Sequence, residues 1–387
     1  RSSERAPGAT VRSVTVQPPQ PPPERLGWRA ARSALRRVDA MFSARGPAFR
    51  QLAMSWAANV AGDALVAIAL AGTLFFDVPD AEEARSNVAL YLAITMAPFA
   101  VVAPLLGGLF SRFPVYRAVI TLSCLARAVL AVVMMLSMNS IWLFPLAFSM
   151  LVLSRLYGIS RSSLLPVAID EPTALVSANA RLARIGILAG AVVLPIGFLA
   201  IQVGAALGLL VAVAFFLLSG FLSLGLPDPR GTVARPGLSP TPMPAAHPPV
   251  TPADHRSVRI SRLATAGVRL INGFLILLLA FAFQESGQGA LDFGALVASA
   301  GAGFGLASYL APWLEKRLRE EPMVVAALAV EAGAAFLASQ GVSLAAAAAV
   351  AAAAGLAWGM AKFGFDGLLQ RSVEPGKRGQ AFTRAET

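Results

Sequence analysis

The run from Leu52 to Phe76, LAMSWAANVAGDALVAIALAGTLFF, most constrains what this chain can fold into. A helix needs about 20 apolar residues to cross the hydrocarbon core of a bilayer. This stretch supplies them, with one ionisable side chain, Asp63, near its middle. A charge at that depth costs about 2.5 to 3.5 kcal/mol on translocon scales, so the carboxylate faces a polar cavity, finds a partner or stays protonated. The residue fits a place on a substrate or ion path. It also fits a structural carboxylate joining two helices.

The rest of the chain follows this helix into the membrane. Hydrophobic residues make up 56% and charged residues 14%, against about 25% charged in an average soluble domain. The net charge of +11 does not indicate nucleic acid, because the basic residues sit between apolar runs rather than in patches with stacking aromatics. Cys124 is the only cysteine, and His247 and His255, the only histidines, fall in a Pro-rich segment. Neither a metal site nor a cofactor is expected from such a set. No nucleophile with a base and no GxxxxGK[ST] phosphate loop is present, so an enzyme is not expected either.

Further apolar runs cover Val88 to Phe110, Ala118 to Met138, Ile141 to Ile159, Ile185 to Gln202 and Gly204 to Leu226. A Pro-rich segment follows, read as a linker over 227–262. Runs resume at Leu263 to Phe283, Phe293 to Trp313, Met323 to Ala338 and Val342 to Gly364. The domain reading is therefore a tail with a basic amphipathic helix over 1–51, a six-helix half over 52–226, the linker, and a four-helix half over 263–387. Within the tail, Trp28, Leu35, Val38 and Phe42 share a helical face opposite Arg29, Arg32, Arg36 and Arg37. Such a helix suits an anionic membrane surface, or simply a solvated face.

Short cytoplasmic loops carry the Lys and Arg excess. Alternating sides puts Arg112, Arg117, Arg155, Arg161, Arg181, Arg184, Arg230, Arg235, Arg256, Arg259, Arg262, Lys316, Arg317, Arg319, Arg371, Lys377, Arg378 and Arg384 on one side, and leaves Arg85 among acidic residues on the other. The sequence thus predicts ten spans in the plasma (inner) membrane, with both termini cytoplasmic. Six spans, a cytoplasmic linker and further spans in the same orientation is the plan of a transporter built from two parallel halves.

The residues themselves resemble a family, the major facilitator superfamily, and within it the multidrug and siderophore exporters typified by the enterobactin exporter. The resemblance rests on AFRQLAMSWAANVAGDALVAIAL in the first span, GGLFSRFPVYR after the second, RSSLLPVAIDEPTALVSANARLARIG between the fourth and fifth, and FDGLLQRSVEPGKRGQAFTRAET after the tenth. It covers Phe49 to Thr387 and implies an all-α integral membrane bundle of two parallel halves. Ten spans are present where the family has twelve, so the expectation is either a fragment lacking the last two or an incomplete product, with the missing initiator Met favouring a fragment.

Departures from the family pattern bear on mechanism. The loop after the second span keeps Gly107 and Arg112 but has Ser111 where the family has an acid. The related loop in the second half keeps Glu315, Lys316 and Arg319, so a charge latch is expected there, with a solvated turn as the alternative. The glycine-and-proline signature of family antiporters survives only as Gly186 and Gly190, with Ala191 in place of proline. Those two glycines fit helix packing equally well.

By resemblance, the helices around the cavity are the first, second, fourth, fifth, seventh, eighth, tenth and eleventh, with the third, sixth, ninth and twelfth at the periphery. Arg269 with Asn272, and Asp63 with Asn59 one turn before it, are the expected substrate and proton path. Lys362 and Asp366 are expected to pair or to gate. Arg127 and Glu331 are expected to be structural, and Arg155 and Arg161 to anchor lipid phosphates at the cytoplasmic end of the fourth span.

The function so implied is secondary transport: export of small amphipathic molecules by alternating access, with Asp63 as the protonatable group if a proton is coupled. The expected partners are a small-molecule substrate, the lipid bilayer and a proton, without nucleic acid, for a chain acting as a monomer. The alternative is a degenerate member that no longer transports and serves as a membrane scaffold.

Overall fold

The computed structural model describes residues 26–43, 45–75, 115–138, 140, 142–169, 174–227, 252–285, 290–318, 320–339, 343–374 and 377–386. The second predicted span, the acidic loop before it, Arg112, Arg319 and most of the Pro-rich linker lie outside the described residues. Among the described residues the secondary structure is helical throughout. The helices are α1 (Leu26–Ser43), α2 (Pro47–Phe75), α3 (Tyr116–Leu136), α4 (Leu143–Ala168), α5 (Leu175–Val203), α6 (Ala205–Ser223), α7 (Pro252–Glu285), α8 (Ala290–Glu315), α9 (Glu320–Ala338), α10 (Leu344–Ser372) and α11 (Arg378–Glu386). Helix α1, as far as Met41, belongs to a unit of its own. The helix exposes Arg32, Arg36 and Arg37.

Seven of these helices, α2, α3, α4, α5, α6, α8 and α10, are long and apolar enough to cross a membrane. Many of their large apolar side chains point outward, among them Leu122, Val129, Leu136, Val192, Leu199, Phe221 and Leu306. Such a surface suits lipid contact and not water. The chain is a multi-pass membrane protein.

Small residues set the packing, as expected where lipid removes the hydrophobic drive between helices. In a first group, α2 to α6, Ala61, Leu65, Val66 and Ala69 of α2 meet Ala128, Ala131 and Met134 of α3 and Leu209, Ala212 and Phe216 of α6. A Cβ on Gly62 would stand 2.7 Å from the Phe216 ring. Serines tie the same helices: Ser55 Oγ lies 3.0 Å from the Tyr157 hydroxyl and donates to the Ser219 carbonyl at 3.0 Å. In a second group, α7 to α11, α8 and α10 cross backbone to backbone. A Cβ on Gly303 would run into the Ala352 carbonyl oxygen, and one on Gly355 into that of Ala300.

Several helices outrun their apolar stretches. The fourth span was read as ending at Ile159, but α4 continues to Ala168 through Arg161 and past Pro166. Likewise α5 begins at Leu175, ahead of Arg181 and Arg184, and α10 runs on to Ser372. The reason is physical: a helix needs lipid-compatible side chains only where it meets lipid, and these extensions are buried against protein, with Arg161 and Asp366 almost fully enclosed. All the extensions gather at one end of the molecule, which also carries Arg117, Arg256, Arg259, Arg262, Lys316 and Arg371. It is called the basic end below.

Candidate functional site: an interhelical cavity closed at the basic end

Between the two helix groups lies a cavity of about 810 Å3. Its walls are the stretches Arg269–Leu275 of α7, Leu296–Phe304 of α8 and Val350–Trp358 of α10, with Arg155 of α4 facing them from the first group. On α8 and α10 these are the halves away from the basic end. The lining is apolar apart from Arg155, Arg269 and Asn272. Arg269 lies over the Trp358 ring at 5.2 Å and donates to the Ala385 carbonyl at 3.3 Å. Asn272 Nδ2 donates to the Ala354 carbonyl at 3.4 Å.

Arg269 and Asn272, paired by sequence, therefore share the cavity wall. Asp63 and Asn59 do not line it, so the expected path splits into two places. At the second place Asp63 meets Arg127: Nη1 of the arginine donates to Oδ1 at 2.7 Å. Oδ2 accepts from Asn59 Nδ2 at 3.1 Å and from Ser154 Oγ at 3.0 Å. Arg127 Nη2 also donates to Asn59 Oδ1. The guanidinium is wholly buried over the rings of Phe216 at 4.6 Å and Tyr157 at 5.4 Å. All three contacts donate to the Asp63 carboxylate, which thus serves purely as an acceptor. Arg127, expected to be structural, is its counter-ion.

Arg155 lies in mid-α4 on the cavity, and Arg161 is buried with its guanidinium 4.2 Å from the Trp56 ring. Both were expected to anchor lipid phosphates at a helix end; α4 instead extends two further turns, which encloses Arg161 in protein and leaves Arg155 in mid-helix, exposed on the cavity. An arginine inside LVLSRLYG is as costly in lipid as Asp63. The same rule, applied there, would have found it.

At the basic end the two groups are tied together. Glu315, at the C-terminus of α8, accepts the backbone N–H groups of Val176 at 3.2 Å and Ser177 at 3.0 Å in the first turn of α5. Those donors have no partner inside their own helix, and the helix dipole favours a negative charge beside them. The carboxylate of one group thus caps a helix of the other. Nearby, Asn179 Nδ2 donates to Gln370 Oε1 at 2.7 Å, and Gln370 Nε2 donates to the Ser162 carbonyl at 2.8 Å. The Gly379 N–H donates to the Tyr116 hydroxyl at 3.2 Å.

A Cβ on Gly367 would stand 2.7 Å from Val176, so the backbone of α10 approaches the start of α5 closely. Lys362 pairs with Asp366 along α10 at 3.1 Å. Arg371 pairs with Glu320 at 2.7 Å, and Arg378 donates to the Val373 carbonyl at 3.1 Å. Desolvation pulls the Arg378 guanidinium down to about 10 against the opposing pull of Tyr116, which still leaves it charged at neutral pH. Lys316 is exposed at the end of α8. Gly186 packs against Trp56, whose Nε1 would lie 3.0 Å from an added Cβ, whereas Gly190 meets only Val60 at 4.0 Å. Among the described residues no group of three or more His, Cys, Asp or Glu could hold a metal ion.

The fold is that of the major facilitator superfamily transporters. A bacterial homologue of the iron transporter ferroportin, in an outward-facing state, superposes with a TM-score of 0.61 at 16% identity over 88% of each chain. The human organic anion transporter MFSD10 (TETRAN) gives 0.59 at 17% identity over 87% of this chain and 88% of its own. The transporter FucP in the outward conformation gives 0.62 at 11% identity over 87% of each. No protein-family model matches the chain. In sequence, an uncharacterized protein of Mycobacterium tuberculosis is 40% identical over 150 residues, and one of Mycobacterium leprae 38% over the same length. The match takes in 36% of this chain and only 27% and 26% of those relatives' lengths.

Proposed function

We propose that the chain is a secondary transporter that moves small amphipathic molecules out across the inner membrane by alternating access. The observation that carries this reading is the cavity of about 810 Å3 between two helix groups that are sealed to each other at the basic end. By the positive-inside rule the basic end is cytoplasmic, so this conformation is closed to the cytoplasm. An apolar cavity with a few fixed polar groups suits a cargo with a lipophilic body and a polar head. Arg155, Arg269 and Asn272 would hold the head, and Trp358 with Phe304 the body.

For the cycle to run, the seal around Glu315 and Gln370 must open and the far side must close. Cargo or a coupled ion drives this only by binding one state better than the other. Asp63, bonded to Arg127, Asn59 and Ser154, joins α2, α3 and α4 at mid-depth and would keep the first group rigid as it rocks.

The test is transport in vesicles reconstituted with the full chain. A fluorescent amphipathic dye, an anilinonaphthalene sulfonate in one set and a lipophilic benzimide in another, is followed under an imposed pH gradient. Movement of either dye above protein-free vesicles, lost when Arg269 and Asn272 are both replaced by alanine, supports the reading. No movement of either dye under any gradient contradicts it.

A further inference from the structure

Glu331 lies in mid-α9 on the stripe Met323, Val324, Ala327, Glu331, Ala334, which is buried against α7 and α10. Its side chain is wholly enclosed, and among the described residues neither carboxyl oxygen has a hydrogen-bond partner. An ionised carboxylate so placed would cost several kcal/mol with nothing to offset it. The other buried acids among the described residues have partners, Asp366 in Lys362 and Glu320 in Arg371, and the half-buried Asp63 has Arg127.

Its position relates it to the cavity. Leu328, just before it, packs on Gly267 of α7, and Ala334, just after it, packs in one cluster with Leu275 of α7 and with Val350 and Ala354 of α10. Arg269, Asn272, Leu275, Val350 and Ala354 line the cavity. Glu331 therefore stands directly behind the cavity wall, at the height of Arg269 and Asn272. The charged groups facing it from the packed helices are otherwise engaged. On α7, Arg269 bonds to Ala385 and lies over Trp358; on α10, Lys362 is paired with Asp366 nearer the basic end. On α9 itself, Glu320 bonds to Arg371 and Glu321 accepts from Ser257 at 2.9 Å.

We propose that Glu331 is a proton-binding site, loaded in the conformation closed at the basic end and emptied when the wall made by α7 and α10 moves. Release breaks the carboxyl O–H bond and passes the proton to water in the cavity, leaving a carboxylate that the rearranged wall exposes to water or to Arg269. This moves the proton from Asp63, where the sequence pointed, to an acid the sequence had left as structural. Occupancy of the site and the state of the seal are then linked, since the ionised form is tolerated only in the open arrangement. The first part stands whether or not the chain transports; the link to the seal rests on the alternating-access reading.

Infrared spectroscopy of the full chain in lipid nanodiscs tests the site without any cargo. The expected result is a protonated-carboxyl C=O band at neutral pH that shifts when glutamate is 13C-labelled and is lost in Glu331→Gln. Absence of a glutamate band in the wild type, a reading that needs no variant to fold, overturns the site, as does an unchanged band in Glu331→Gln. For the link, Val176→Cys in a Cys124→Ala background reports opening of the seal to a maleimide. Labelling that rises severalfold with pH and becomes pH-independent when Glu331→Gln is added supports the link; the same rise in both proteins overturns it.

Discussion

The Glu315 carboxylate at the end of α8 accepts the backbone N–H of Ser177 at the start of α5 at 3.0 Å, across the boundary between the two helix groups. The second oxygen takes the neighbouring donor of Val176 at 3.2 Å. A side chain from one group thus completes the helix terminus of the other, and separating the groups leaves both ends unsatisfied.

Replacing Glu315 with glutamine keeps an acceptor but removes the charge beside the helix dipole. Capping and dipole contributions of this kind are about 1 kcal/mol, so the seal should open severalfold more often. Glu315→Lys should open it further, by placing a cation against the positive end of α5. Distances between spin labels on α5 and α8 at the basic end measure the shift; unchanged distance distributions in both variants would remove Glu315 from the seal.

Asp63→Asn should destabilise the protein, because it leaves Arg127 buried without its counter-ion. Breaking a buried pair costs about 3 to 5 kcal/mol. The lower figure applies here, since the Asp63 side chain is 32% exposed while that of Arg127 is 0%. The double variant Asp63→Asn with Arg127→Gln should recover much of the loss. Thermal unfolding in detergent checks both; an additive double variant would mean that the pair does not act as a unit.

These two predictions mark what the sequence could and could not disclose. Asp63 and the helix around it are legible, because an acid in an apolar run breaks a local pattern. Its partner Arg127 is 64 positions away on another helix, and no local periodicity encodes which of several buried arginines it meets. Glu315 was legible as part of a charged loop, but its partners are backbone amides, which carry no residue signature at all. The α4 extension was missed because Arg155 and Arg161 read as a helix end at a headgroup, whereas Arg161 is buried beside the Trp56 ring and Arg155 faces the cavity. Glu331 was visible as an intramembrane acid; only packing shows that nothing answers it.

The crossing of α8 and α10 gives a prediction of opposite signs at two glycines. At Gly355 an added methyl would meet the Ala300 carbonyl oxygen, so Gly355→Ala should cost about 1 to 3 kcal/mol by overpacking. At Gly333 on α9 an added Cβ meets nothing within 4 Å. Gly333→Ala should be neutral or stabilise by up to about 1 kcal/mol through helix propensity. Unfolding midpoints of the two variants decide it; equal shifts would deny the close crossing.

In the cavity, Arg269→Gln should change cargo range more than total activity. A charge-assisted hydrogen bond to an anionic head is worth about 1.5 to 3 kcal/mol, so binding of the sulfonate dye should fall at least tenfold and that of the benzimide dye little. Dye titration in nanodiscs measures both. Equal losses for the two would assign Arg269 a purely structural role.

The central claim is that the two helix groups meet in this arrangement at the basic end and part there in another. Single cysteines at Ala351, on the cavity, and at Val176, beside Gly367 in the seal, placed in a Cys124→Ala background, test it when treated with a membrane-impermeant maleimide from one side at a time. The account predicts that Ala351→Cys reacts from the side opposite the basic end while Val176→Cys stays protected, and that Gly367→Leu, which wedges the seal, reverses both. Reaction of both cysteines from the same side, unaltered by the wedge, would contradict it.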